Sequence, residues 1–408
     1  MPRFSPFPAV RYAIDTPYAE VVAPPYDVLS TEQAQHYRDQ HRHNITNIDV
    51  PAGPDGGAAD AGSYRAAGEL YRRWRRRGVL VADETPTLTI YRLRFTDATG
   101  ADRAISGVLG GLEVVDEGAG GVLPHERTTP KASTDRLDLT RATEANLSPV
   151  WGLSLARGLT ELLDAPGEAI ATVVDEDDGN RVEHVIERIT DPGRIAAITS
   201  LVGSDDVLIA DGHHRYGVAR SYRDEVREAT GRTDTPAEET LVFVNELVAD
   251  QLSVAAIHRL YAGTSLDAVR DALAQRFEIT PLDPERPEAR PSADTLARME
   301  SDGFLTLVTA VGCSALTPRD GAFEDVRALD GAWLEDALAG VDAEVSYQHG
   351  VDEVLAAVDS ERAVAGVLIR PVTVAEIERT AREGLLMPPK STFFTPKLKT
   401  GFVIRELS

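Results

Sequence analysis

The ten residues Val207-Leu208-Ile209-Ala210-Asp211-Gly212-His213-His214-Arg215-Tyr216 constrain this chain more than any other stretch. A short apolar run ending in Asp-Gly reads as a strand buried on both faces. The pattern of residues 212–229 is helical, so the strand passes directly into a helix. Such a junction presents unpaired N–H groups and the positive end of the helix dipole, which suits an anion. Gly212 allows close backbone approach. His213, His214 and Arg215 add donors and charge, and Asp211 can hold a divalent cation or orient a hydroxyl. Neighbouring helical side chains point about 100° apart, so the two histidines make a poor zinc chelate.

The surrounding pattern alternates strands and helices. Thr87 to Thr96, Ala104 to Val115, Ala169 to Val174, Val182 to Ile189, Thr240 to Val248, Phe304 to Val311 and Val364 to Ile369 read as strands. Residues 31–43 (with Thr31 as N-cap), 63–77, 135–145, 191–201 and 265–277 read as helices, and Thr373 with Glu376 forms a capping box. This is an α/β (α+β) chain with mixed sheets and flanking helices. Pro281 to Pro291 is the best linker, which divides the chain into residues 1–280 and a C-terminal α/β region, 281–408, expected to fold back on the site.

Charge narrows the function classes. Among 408 residues, 42 are Lys or Arg and 66 are Asp or Glu, giving a formal net charge of −24. A field of that sign repels nucleic acid, so no duplex partner is expected. The one dense basic run, Arg72-Arg73-Trp74-Arg75-Arg76-Arg77, reads as the solvated face of an amphipathic helix. No stretch approaches the roughly 20 apolar residues of a membrane span. The start of the chain lacks the pattern of a signal peptide. The single cysteine, Cys313, excludes an internal disulfide framework and reads as a core thiol. The expectation is a soluble cytoplasmic protein.

Lysine is scarce: only Lys131, Lys390, Lys397 and Lys399. A chain that otherwise uses arginine, yet keeps lysine in two short segments, has a use for a compact ammonium there, and phosphate is one such use. Three of the four lie in Met387 to Gly401, with Ser391 and Thr392. Lys131 lies in a densely polar stretch, Leu123 to Arg136, with His125, Glu126, Thr128 and Asp135; long polar loops of this kind are commonly functional. Glu126 is a candidate general base or Mg²⁺ ligand, and Thr128 and Lys131 are candidate phosphate contacts. His258-Arg259 is a fourth candidate. Asp211 lies at the strand-to-helix turn and Asp135 reads as an N-cap, so Glu126 is the carboxylate of this group with no structural duty visible in the sequence.

At these residues a resemblance becomes clear. Ala23-Pro-Pro-Tyr-Asp-Val28, His125-Glu126-x-Thr128, Asn146-Leu-Ser-Pro149, Asp211-Gly-His-His-Arg-Tyr216, Ile257-His-Arg259 and Pro389-Lys-Ser-Thr-Phe-Phe394 resemble a bacterial and archaeal family known mainly as a domain of unknown function. The Asp-Gly-His-His-Arg turn also resembles the nucleotide-phosphate motif of the ParB/sulfiredoxin-like fold, which includes a free-serine kinase. No cysteine stands in the turn and no basic helix-turn-helix is evident, so sulfiredoxin and partition chemistry do not transfer. The resemblance implies a nucleotide-binding core within residues 1–280. It implies Asp211, Gly212, His213, His214 and Arg215 around Mg²⁺ and a nucleoside di- or triphosphate. It implies Glu126 as the base for a substrate hydroxyl. His125, His258, Arg259, Lys390, Ser391, Thr392 and Lys397 are the substrate-binding candidates. The reading is a small-molecule kinase acting on a hydroxyl such as that of serine. The alternative is a non-enzymatic nucleotide-binding regulator.

Overall fold

A computed structural model describes residues 1–13, 15–53, 57–97, 100–125, 133–177, 180–283, 285–286, 289–388 and 390–408. The chain forms two compact units. The first comprises Met1–Ser253, Ala381–Gly384 and Pro396–Ser408; the second comprises Val254–Thr380 and Leu385–Thr395. The proline-rich stretch 281–291 lies within the second unit.

The first unit is built on a mixed sheet with nine described strands. In chain order they are β1 (Phe4–Ser5), β2 (Leu88–Thr96), β3 (Asp102–Glu113), β4 (Val122–Leu123), β5 (Val150–Ser154), β6 (Glu168–Asp177), β7 (Asn180–Ile189), β8 (Val207–Asp211) and β9 (Glu239–Glu246). Their spatial order is β4-β8-β5-β9-β3-β2-β7-β6, with β1 beside β3. The pairs β4/β8 and β5/β9 are parallel, and the other neighbours are antiparallel.

Strand alternation sorts the two faces. Ile90, Val150, Val207 and Val242 enter one apolar cluster. There they meet Ile198 and Val202 of helix Pro192–Val202. Their strand neighbours Tyr91, Trp151 and Phe243 form an aromatic chain on the other face, with ring centroids 5.6 and 5.7 Å apart. Phe402, from the C-terminal segment, stands 5.4 Å from Tyr91.

Three helices pack in series, α1 (Ala61–Arg76) on α2 (Ser133–Thr143) and α2 on α3 (His213–Thr230). The arginine run closes α1, where its charge complements the helix dipole. Trp74 within it is buried, and Arg75 pairs with Glu406. Two caps differ from the sequence reading. Ser30, not Thr31, caps its helix through a reciprocal box with Gln33. Asp135 falls within the first turn of α2, which begins at Ser133.

The second unit has a sheet of six described strands, antiparallel at every described pairing. Leu307 and Val367 point into one cluster, Val308 and Leu368 into another, so helices cover both faces. Cys313 is buried in the second cluster. Among the described residues, no helix is long and apolar enough to cross a membrane.

Helices α1 and α2 touch at Gly68. A β-carbon there would lie 2.1 Å from the Ala142 carbonyl oxygen, which no backbone adjustment of a few tenths of an ångström relieves. An exposed Gly→Ala change in a helix ordinarily stabilises by about 1 kcal/mol. Gly68→Ala is expected to do the reverse and to cost roughly 1–3 kcal/mol through overpacking. The urea midpoint of the purified variant checks the sign.

Candidate functional site

Strand β8 ends at Asp211, Gly212 takes the left-handed conformation with φ +87°, and α3 begins at His213. The positive φ explains the glycine, and a second contact reinforces it. A β-carbon at Gly212 would lie 3.0 Å from the Arg215 guanidinium carbon, because that side chain curls back over the turn. Arg215 donates through Nη2 to Asp211 Oδ2 at 2.5 Å and through Nη1 to the Pro149 carbonyl. The Asn-Leu-Ser-Pro segment is thereby tied to the turn. Its Asn146 Oδ1 accepts from Leu241 N, so the segment is tied to β9 as well.

The other oxygen of Asp211 accepts from Lys397 Nζ at 2.8 Å. The Asp211 side chain is 23% exposed and that of Lys397 10%. Burial alone would raise the Asp211 pKa. The Lys397 and Arg215 charges outweigh it and hold the carboxyl well below the usual carboxylate range. Arg215, pushed down by burial, is carried above its ordinary value by Asp211, Asp27 and Asp49.

His125 is fully buried two residues beyond β4, which runs parallel to β8. Its Nδ1–H donates to the Ile209 carbonyl at 2.6 Å, and its ring meets that of His213 edge to face at 4.9 Å. The N-terminal Pro-Pro-Tyr-Asp segment also arrives here: Asp27 Oδ2 lies 4.0 Å from Arg215 Nη2. Arg136 stacks 3.9 Å over the Tyr26 ring and donates to the Asp49 carbonyl.

Asp211, Gly212, His213, His214, Arg215, His125 and Lys397 therefore all belong to the first unit. Glu126, Thr128 and Lys131 lie outside the described residues. His258, Arg259, Lys390, Ser391 and Thr392 belong to the second unit. There His258 Nδ1 accepts from Ile369 N. Arg259 donates to the carbonyls of Ile257 and Lys390 and stands 4.7 Å over Tyr347. Ser391 Oγ donates to the Pro388 carbonyl.

Sequence reasoning missed Tyr26, Asp27, Asp49 and Asp175, whose carboxylate pairs with Lys399. The proline-aromatic segment and the rarity of lysine were the available signals. Both oxygens of Asp211 already hold cationic donors, so its surroundings do not fit a resident divalent ion. Among the described residues, no group of three or more His, Cys, Asp or Glu side chains gathers for a metal.

A mixed α/β unit with a helix N-terminus at a buried strand exit, clasped by an Asp-Lys-Arg triad, is the class of structure present. The chain belongs to the family described as a protein of unknown function, DUF1015, whose model matches residues 4–332. No curated protein matches it significantly. Solved structures similar to it include a conserved hypothetical protein from Pyrococcus furiosus, at 13% identity and a TM-score of 0.37, covering 69% of this chain and 92% of that one. Another is a variant of a free serine kinase in complex with ADP, at 14% identity and a TM-score of 0.38, covering 69% and 89%. A third is C-terminally truncated SbnI from Staphylococcus aureus, at 14% and 0.37, covering 72% and 85%.

The buried histidines give this architecture a pH signature. Burial lowers the His125 pKa from 6.5 to about 4, against the opposing pulls of Ile209 and Asp211. Burial likewise lowers His258 to about 4. Below about pH 6.5 the unfolded chain takes up a proton that the folded chain refuses until about pH 4, so stability falls as pH drops through that window. His125 contributes up to about 3 kcal/mol to the fall. Urea unfolding between about pH 7 and about pH 4.5 is expected to show a shallower slope in His125→Asn than in the wild type. An unchanged slope removes His125 as its source.

Proposed function

We propose that the first unit binds a nucleoside di- or triphosphate at the Asp211–Arg215 turn and transfers a phosphoryl group to a small-molecule hydroxyl. The observation that carries this reading is the Lys397 ammonium, 2.8 Å from Asp211 at the start of α3. A chain with four lysines has folded one of them onto a helix N-terminus. Phosphoryl transfer asks the protein mainly for positioning and charge neutralisation, and this turn supplies ammonium, guanidinium, imidazole and helix N–H groups together. The core is read as ParB/sulfiredoxin-like, and serine as the acceptor, on the resemblance of the Asp-Gly-His-His-Arg turn.

In this reading Lys397, His213, His214 and the helix N–H groups face phosphate. Thr128 and Lys131 add phosphate contacts. Asp211 holds Lys397 and Arg215 in place, and any Mg²⁺ travels with the nucleotide's phosphates rather than on Asp211. Glu126 takes the proton from the acceptor hydroxyl. A substrate contact is proposed for His125 within the first unit; His258, Arg259, Lys390, Ser391 and Thr392 are proposed as small-molecule contacts of the second unit taken by itself. Such an enzyme works in the cytoplasm, with a small molecule and a nucleotide as its partners.

Calorimetry with a panel of Mg-nucleotides tests the binding step. Lys397→Ala and Arg215→Ala each remove a charge-assisted contact of roughly 1.5–3 kcal/mol, so affinity should drop about tenfold or more. Unchanged affinity in both takes the turn out of the site. Glu126→Gln keeps shape and hydrogen bonding but cannot accept the proton. It should leave affinity nearly intact and lower turnover roughly 10²–10⁴-fold, read by release of ADP, AMP or phosphate with serine and related hydroxy acids. Nucleotide binding with no such release under any acceptor supports the regulator instead.

A further inference from the structure

A second polar cluster in the first unit lies on the face of the sheet that carries Tyr91, and the phosphate reading does not use it. The backbone N–H of Lys399 donates to the Tyr91 hydroxyl at 3.1 Å. The same hydroxyl is hydrogen-bonded to His184 Nδ1, 2.8 Å away. The His184 Nε2–H then donates to Asp175 Oδ1 at 3.1 Å. The other oxygen of Asp175 pairs with the ammonium of Lys399 itself. The bonds form a closed ring that begins and ends on one residue.

Tyr91 and His184 are fully buried, and Lys399 nearly so. The ring spans three adjacent strands, with Tyr91 on β2, His184 on β7 and Asp175 on β6. Burial would raise the Asp175 pKa, but His184 and Lys399 hold it below its ordinary value. Buried polar groups are costly unless each is satisfied, and a satisfied ring has one geometry. The ring therefore fixes Lys399 by both its backbone and its side chain. Thr400, the next residue, exchanges backbone hydrogen bonds with Ala23. Lys397 is two residues upstream, a reach of at most about 7 Å.

We infer that Tyr91, His184, Asp175 and Lys399 are positioning residues that present the Lys397 ammonium to Asp211. None of the four needs to touch a ligand. They act by fixing the backbone from which Lys397 extends, so that its ammonium meets Asp211 without losing side-chain entropy at the moment of binding.

The test uses lysine scarcity. The full-length protein is acetylated with a limiting amine-reactive ester, and each lysine's rate is read by peptide mass spectrometry. In the wild type Lys397 should react slowly and the exposed Lys390 faster. Lys399→Met, which breaks the ion pair, and Tyr91→Phe, which removes the hydroxyl, should each raise the Lys397 rate roughly tenfold or more, as expected when charge-assisted hydrogen bonding is lost. The Lys390 rate should stay put. Lys399→Arg, which can still pair with Asp175, should restore slow reaction at Lys397. General loosening would raise both rates and would not be rescued, which overturns the inference. So would an unchanged Lys397 rate in both variants. If Tyr91→Phe fails to fold, the Lys399→Met and Lys399→Arg pair decides alone. The rates need no nucleotide. A wild type that binds no nucleotide but shows the expected lysine rates refutes the phosphate reading and leaves the positioning network standing.

Discussion

The Asp211 carboxylate, shared between Lys397 and Arg215, is the interaction on which the arrangement of the first unit depends. It sits where the central sheet hands over to α3, so its partners decide which segments meet there. Arg215 brings in the Pro149 carbonyl. Lys397 brings in the C-terminal segment. A poorly solvated carboxylate with one cation removed would strand the remaining charge, and breaking such a pair is generally far costlier than the pair is worth. Both cations are therefore required together, and two distant stretches of chain are bound to one turn.

The choice of cation at each corner follows from geometry. Arg215 has two oxygens to reach, a carbonyl and a carboxylate, lying in different directions, and a planar fork serves both. Lys397 has to deliver one compact charge to one oxygen, which an ammonium does. The same division recurs elsewhere in the first unit. There Lys399 closes the ring through Asp175, while the buried Arg11 runs from Asp83 to Thr89. In a chain that relies so heavily on arginine, the two lysines of this segment stand where point charges are needed.

Glycine and histidine play quieter parts. Gly212 combines a left-handed backbone with a surface on which the Arg215 guanidinium rests, so its absent side chain serves both the turn and the clasp. His125 and His184 are buried and spend ring protons on a carbonyl and a carboxylate. Neither behaves as a surface histidine would, although nothing in their immediate sequence distinguishes them from one.

Local pattern determined a good deal. The apolar run Val207–Ala210, the Asp-Gly turn and the helix after it are a strand, a left-handed glycine and a helix, because side-chain periodicity and backbone freedom act over a few residues. The α/β class followed from the same alternation. The late lysines stood out by their rarity. Partnership was not. That Asp211 meets Lys397, 186 positions later, and that Tyr91, His184, Asp175 and Lys399 close into a ring, depends on the strand order β8-β5-β9-β3-β2-β7-β6 and on the return of residues 396–408 to the first unit. Strand order and chain return are settled by the burial of whole faces, a sum over many residues. No single segment carries that sum, so only the tertiary structure could decide which charges meet.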